Sequence, residues 1–239
     1  VGTTVFELAN EQGACVNGQV DILITTPPAP VFSDDFASGQ IDPANWLVEA
    51  SALDEATPGT NTPESAVTVA AEQLNMDVTG ETDSWPGFNV TTVASYDASP
   101  TKPVVFELDR TELEYVLVAG TSAKQRSGVW VSDATGENRL WFGEYATYDA
   151  TIGGWQYNVM RGVSSDSPLP GAGVGIPAFG AAKFNDRGNH RIKVVADGTN
   201  VVLYLDEEFG VSVPFPIATG LKFGLGTYVD AATNKATGW

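Results

Sequence analysis

Apolar and polar residues alternate in short runs along most of the chain, and no 3.6-residue period persists for three turns anywhere. The runs at 66–71, 73–78, 104–119, 128–132, 139–145, 155–161, 190–196, 200–206, 209–215 and 221–229 each read as strands, bounded by Gly, Pro, Asn and Asp. The clearest is a hairpin over 190–206, with alternation on both sides of Asp197-Gly198, a dipeptide that accepts the positive φ of a tight turn. A second reversal follows between Asp206 and Gly210. One helical turn is expected at 42–46, with Asp42 as cap and Pro43 at the first helical position. The Gly- and Pro-rich stretch 164–180 reads as a long loop. Many short strands at this spacing predict an all-β sandwich or barrel.

The first 26 residues hold two further strand-like runs, 4–8 and 19–25. Thr26-Pro27-Pro28-Ala29-Pro30 then supplies a stiff extended linker, because proline lacks the backbone donor that a central strand or a helix needs. The division expected is an N-terminal arm, 1–30, and a main domain, 31–239. The chain opens on Val1 without a leader-like stretch, which reads as a processed or excised piece.

Composition narrows the function classes. Of 239 residues 43% are hydrophobic, enough for a substantial core. Acids outnumber bases 30 to 12, giving a formal charge of −18. That balance excludes nucleic acid, whose phosphates need Lys and Arg, and no apolar run is long enough for membrane insertion. The lone Cys15 allows no internal disulfide framework; it reads as a small buried hydrophobe or as a thiol that links two chains.

Several stretches together resemble the concanavalin A-like lectin/glucanase superfamily, in its laminin G-like and carbohydrate-binding-module branches. They are Val31-Phe32-Ser33-Asp34-Asp35-Phe36 with Ile41-Asp42-Pro43-Ala44-Asn45-Trp46, Gly128-Val129-Trp130-Val131 with Asn138-Arg139-Leu140-Trp141-Phe142-Gly143, the late hairpin from Gly188 to Asp206, and Phe223-Gly224-Leu225-Gly226-Thr227-Tyr228. The resemblance covers 31–239 and implies a jelly-roll β-sandwich carrying an N-terminal strand-containing arm. It is specific for fold and weak for activity, since these are packing and turn positions. Relatives usually end with one more strand, whereas this chain stops at Gly238-Trp239, where that strand is expected. Either the N-terminal strands fill the gap, or the chain is incomplete, or the arm completes a neighbouring copy by strand donation.

Candidate chemistry falls into four groups. Glucanases of this fold carry E-x-D-x-x-E on one strand, with an acid and a nucleophile facing one cleft. The nearest match is Glu107-Leu108-Asp109, but Arg110 and Thr111 follow, and Glu112 and Glu114 fall on the other face; a solvated strand face is preferred. The single histidine, His190, reads as structural, and Gly171-Ala172-Gly173-Val174-Gly175 lacks the Lys-Ser/Thr and helix of a phosphate loop. For metals, Asp34, Asp35 and Asp206 offer hard oxygens suited to a structural Ca²⁺. For sugars, aromatic faces stack on pyranose rings. Alternation puts Arg139, Trp141 and Tyr145 on one face, and Trp155, Tyr157 and Arg161 on one face of the next strand. If those faces coincide they form a platform with Trp130; the competing reading has the tryptophans filling the sandwich. Trp85, in the loop 83–87, is a separate candidate. Asn89-Val90-Thr91 has the form of a glycosylation sequon, which arises readily by chance.

The expectation is therefore a secreted or cell-surface module without catalysis, binding a polysaccharide or serving an adhesive or architectural role beside neighbouring domains or other copies of itself. The alternatives are a glycoside hydrolase or polysaccharide lyase of this fold and a subunit that self-assembles by strand donation.

Overall fold

The computed structural model describes residues 8–9, 15–16, 32–51, 67–80, 87–111, 114–115, 124–147, 153–160, 174–179, 189–230 and 234–237. The chain divides into two compact units, Val1–Asp34 and Asp35–Trp239. In the first, β1 (Leu8–Ala9) pairs antiparallel with β2 (Cys15–Val16), placing Cys15 opposite Ala9. The expected strand at 19–25 lies outside the described residues.

In the second unit the strands are β3 (Trp46–Ser51), β4 (Val67–Ala70), β5 (Gln73–Met76), β6 (Val78–Gly80), β7 (Gly87–Thr92), β8 (Val104–Arg110), β9 (Glu114–Tyr115), β10 (Lys124–Ser132), β11 (Arg139–Thr147), β12 (Gly153–Met160), β13 (Val174–Gly175), β14 (His190–Ala196), β15 (Asn200–Leu205), β16 (Glu208–Pro214), β17 (Lys222–Asp230) and β18 (Asn234–Thr237). A seven-stranded sheet runs β13-β12-β11-β10-β17-β7-β3 and a four-stranded sheet runs β16-β15-β14-β8. Smaller sheets join β6-β18-β9 and β4-β5. Every pairing is antiparallel, so side chains alternate strictly between faces. Most strand runs read from the sequence match these elements, but the single run expected at 104–119 comprises β8 in the four-stranded sheet and β9 in a small one, with 116–119 outside the described residues. Not anticipated were β2, which falls between the two runs expected in the first 26 residues, β3, β6, β7, β18 and the two-residue β13.

The two large sheets pack face to face. Val129, Val131, Leu140, Phe142 and Leu225 from one meet Ile192, Val194, Leu203 and Leu205 from the other, all buried. Phe106 of β8 stacks on Phe223 of β17 with ring centroids 5.2 Å apart, a direct contact between the sheets. Each large apolar side chain fully buried here stabilises the fold by roughly 1.5–3 kcal/mol.

Turn chemistry follows local sequence. The hairpin β14–β15 closes at Asp197, whose Oδ1 accepts N–H bonds from Thr199 (2.8 Å) and Asn200 (2.6 Å), while Gly198 takes φ +84°. Asp206 and Glu207 both adopt positive φ (53° and 64°), and Ala71 and Glu72 do likewise (52° and 61°). Both pairs sit at the centre of two-residue hairpin loops, whose primed geometry matches strand twist. At 42–46 the expected turn forms: the Trp46 amide donates to the Asp42 carbonyl at 2.9 Å, and Asp42 Oδ1 accepts from the Ala44 amide.

Candidate functional site

Residues opposite each other in register share a face, so the pairings sort every side chain of the seven-stranded sheet. Phe223, Glu144 and Trp155 reach elements of the small sheet or its flanks, which fixes their face as the inner one. The other face then reads in rungs. One rung is Lys222, Ser132, Arg139; the next is Leu47, Thr91, Gly224, Trp130, Trp141, Asn158. The third is Glu49, Asn89, Gly226, Gly128, Gly143, Gln156, and the fourth is Gly87, Tyr228, Arg126, Tyr145, Gly154.

Three adjacent glycines in the third rung leave a strip without side chains, and the large rings of the neighbouring rungs lie across it. A Cβ on Gly143 would collide with Trp141 Cζ2 and the Ser127 carbonyl. A Cβ on Gly226 would lie 2.6 Å from Tyr228 Oη and 2.7 Å from Trp130 Nε1. A hydrogen-bond chain fixes the rings: Trp130 Nε1 donates to Tyr228 Oη at 3.0 Å, and that hydroxyl donates to Asn89 Oδ1. The Arg126 guanidinium lies 5.2 Å from the Tyr145 ring centroid and 6.0 Å from that of Trp141. The Arg139 guanidinium lies 5.9 Å from the Trp130 centroid, with its Nε donating to the Gly136 carbonyl. Trp141 is fully buried, and its Nε1 makes no hydrogen bond. Tyr145, Arg139, Gln156 and Asn158 are half-buried, Glu49 is exposed.

The structure thus brings Trp130, Arg139, Trp141 and Tyr145 onto one face and adds Arg126, Tyr228 and Asn89. It does not bring Trp155 and Tyr157 there. Trp155 stands opposite Glu144 and Tyr157 opposite Phe142, so both point inward. The two faces do not coincide, and the joint platform imagined from the sequence is corrected to that extent. The physical reason is register: in a period of two, the phase of β12 against β11 decides the face of every residue. Trp85 and Arg161 lie outside the described residues.

Trp155 belongs instead to a polar cluster between the sheets. Its ring meets His190 edge-on (6.1 Å) and Phe179 edge-on (6.2 Å), and Arg110 lies over it at 5.1 Å. Arg110 Nη1 donates to Glu144 Oε2 at 2.8 Å, both side chains being essentially inaccessible to water. His190 Nδ1 is 2.8 Å from Asp206 Oδ2, and the Arg191 amide donates to Asp206 Oδ1 at 2.9 Å. Both oxygens of Asp206 are therefore engaged within the hairpin. Asp35 Oδ1 accepts from the Ala37 amide, and among the described residues no three His, Cys, Asp or Glu side chains gather as a metal-ligand set.

The acids of the glucanase-like stretch sit elsewhere. Glu107 and Asp109 project from the outer face of the four-stranded sheet, where Arg191 makes a two-pronged bond to Asp109 (2.8 Å each) and reaches Glu107 at 3.3 Å. The bond to Arg191 holds the Asp109 carboxyl below the usual carboxylate range. Backbone N–H bonds from Asn200 and Thr199 do the same for Asp197. At Asp133 partial burial works in the opposite sense, but bonds from Asn138 and Thr135 outweigh it and the carboxyl is again lowered. Depressed carboxylates stabilise the fold above their unfolded value of about 3.9, and that stabilisation is lost as pH falls through the lower folded values. Urea midpoints measured between pH 6 and pH 2 are expected to fall on the acid side of pH 4. Arg191→Gln flattens the Asp109 share of that limb, and an unchanged acid limb in this variant would remove Asp109 from the account.

No protein-family model matches the sequence, and no curated protein matches it. Among solved structures, an endo-acting O-glycanase from the human gut microbiota, described as initiating mucin breakdown, aligns with a TM-score of 0.56 at 12% identity, over 87% of this chain and 95% of that one. A Bacillus licheniformis β-glucanase aligns at 0.44 with 10% identity, over 86% and 92%. The Emp47p carbohydrate recognition domain aligns at 0.46 with 12% identity, over 86% and 90%. The first likeness establishes the fold alone: the chain is a jelly-roll β-sandwich of concanavalin A-like architecture.

Proposed function

We propose that this protein is a glycan-binding module without catalysis, of the kind that works outside the cell in adhesion or matrix architecture, and that the outer face of the seven-stranded sheet receives the sugar. The observation that carries this reading is the distribution of acids and rings. The described outer face holds the half-buried Tyr145 beside the buried rings of Trp130, Trp141 and Tyr228, with Arg126 over Tyr145 and Trp141 and Arg139 over Trp130. Among the described side chains of its rungs, the acidic one is Glu49, on the edge strand β3. Glycoside hydrolysis requires two carboxyl groups about 5–10 Å apart across the scissile bond. Here Glu144 is consumed by Arg110 inside the sandwich, and Glu107 and Asp109 by Arg191 on the opposite sheet. Sugar-binding and sugar-cleaving proteins both occur among the structural neighbours, which supports a glycan as the partner.

Retention on immobilised polysaccharides, followed by titration calorimetry on those that bind, tests the reading. Tyr145→Ala is expected to weaken binding about three- to tenfold, the value of one aromatic stacking contact, without lowering the melting temperature appreciably. Release of reducing ends or unsaturated products from any polymer would instead establish the hydrolase or lyase alternative, and absence of retention across the panel would overturn both.

A further inference from the structure

We propose that the outer face of the four-stranded sheet holds a second glycan seat, built on Phe209 of the β15–β16 hairpin; the inference rests on the binding reading above. Among the described residues Phe209 is the exposed aromatic ring, 54% open to water, while the other rings are buried or half-buried. Register shows that this exposure is built in. Leu203 stands opposite Val211, and an unbroken ladder would next set Gly210 opposite Tyr204 and Phe209 opposite the buried Leu205. Instead a bulge shifts the pairing, so that Phe209 stands opposite Tyr204 and faces outward. Bulges re-aim side chains in this way and are frequent beside functional sites. Gly210, the extra residue, lies against Phe179, where an added Cβ would collide with that ring. The strand thus turns away from the core a phenylalanine that simple alternation would bury.

The neighbours of Phe209 suit a neutral sugar. One outward rung reads Glu107, Lys193, Tyr204, Phe209, across all four strands. Tyr204 meets Phe209 edge-on with ring centroids 6.0 Å apart, and Lys193 Nζ lies 5.7 Å from the Tyr204 centroid. Glu207, in the turn of the same hairpin, accepts a bond from Lys193 Nζ at 3.3 Å. A pyranose stacked on an open ring presents hydroxyls that both donate and accept, and a Lys–Glu pair supplies a donor and an acceptor. That pair is partly exposed and contributes little by itself, so sharing it with a ligand costs little. A charged ligand finds less here. Arg191 and Lys193, the bases of this face among the described residues, already have acid partners, Arg191 through two bonds to Asp109 and an ion pair with Glu107. A protein partner finds too little surface. Four strands of six or seven residues present roughly 400 Å², against the ~800 Å² that each side of a stable protein interface buries. Seats on opposite sheets would let one molecule bridge two glycan chains, with avidity gained from the pair.

The test uses the whole chain with soluble β-glucan, galactan and galactomannan. Wild type is expected to cross-link a polymer that it binds, read as turbidity that rises with protein and falls again at protein excess. Phe209→Ala should abolish the turbidity and weaken retention about three- to tenfold, the value of one stacking contact. Phe209→Tyr keeps a ring and should preserve both, and unfolding curves check that both variants fold. Turbidity and retention in Phe209→Ala equal to wild type would overturn this inference, and a loss confined to Tyr145→Ala would leave the first face standing alone. Self-association that Phe209→Ala abolishes, with retention unchanged, would make this face a contact between copies and overturn the proposal too. Binding to none of the polymers, nor to the wider panel, would instead defeat the function it rests on.

Discussion

Replacing Glu144 by alanine is expected to destabilise the fold by about 3–5 kcal/mol, measured as a fall in the denaturant midpoint at pH 7. The side chain is buried to the last per cent, on the inner face of β11, and its carboxylate takes a 2.8 Å bond from Arg110 at the far end of β8. Arg110 is itself completely buried and lies over Trp155. Removing the acid takes a charge-assisted bond from a guanidinium in a space that water does not reach, and losing one member of a buried ion pair costs far more than losing one of an exposed pair. The informative companion is Arg110→Met with Glu144→Leu. Apolar replacement of both partners should recover most of the loss, because the pair's attraction is set against the desolvation of two ions. If Glu144→Ala costs less than 1 kcal/mol, the pair is not the tie between sheets described here.

The second large effect concerns the glycine strip. Gly128→Ala is expected to cost about 3 kcal/mol or more, with loss of glycan retention in whatever fraction still folds. Its Cβ would meet the Phe142 carbonyl and lie 2.5 Å from the Gly143 Cα. Those are backbone atoms of the paired strand, so relief requires the β10–β11 ladder to part rather than a side chain to turn. Overpacking of this kind commonly costs 1–3 kcal/mol where side chains can yield, and more where they cannot. Gly39, where an added Cβ meets nothing within 4 Å, offers the internal contrast in crowding, although its φ of +72° carries a backbone cost of its own. Wild-type stability in Gly128→Ala would mean that β10 and β11 do not approach as closely here as described.

Much of this architecture could be read from local chemistry alone. Asp197-Gly198 named its hairpin, Asp42 its turn, and the alternating runs their strands, because each depends on neighbours a few residues away. What escaped was long-range. β7 was hidden behind Trp85-Pro86-Gly87 and a sequon, although Phe88, Val90 and Thr92 alternate inward. The Arg110–Glu144 pair joins residues on different sheets, and nothing near Glu144 in sequence announces a buried partner 34 positions back. The phase of β12 was the costliest miss for the site, and a signal did exist. In Trp155-Gln156-Tyr157-Asn158-Val159 the amides alternate with apolar residues, which points the rings inward. β11 gave no such guide, since Leu140, Trp141 and Phe142 are apolar on both faces and all buried.

The pairing of β10 with β17 also governs when the platform can exist. Trp130 and Trp141 arrive together on one hairpin, but the glycine under Trp130 and the tyrosine that receives its indole proton come from residues 226 and 228, nearly a hundred positions later. Asn89, which closes the same chain of hydrogen bonds, lies about forty positions earlier. Loop closure over such separations makes contacts of this kind slow to form. The recognition surface is therefore no local motif that a short fragment could carry; it comes into being in the same cooperative step that closes the sheet.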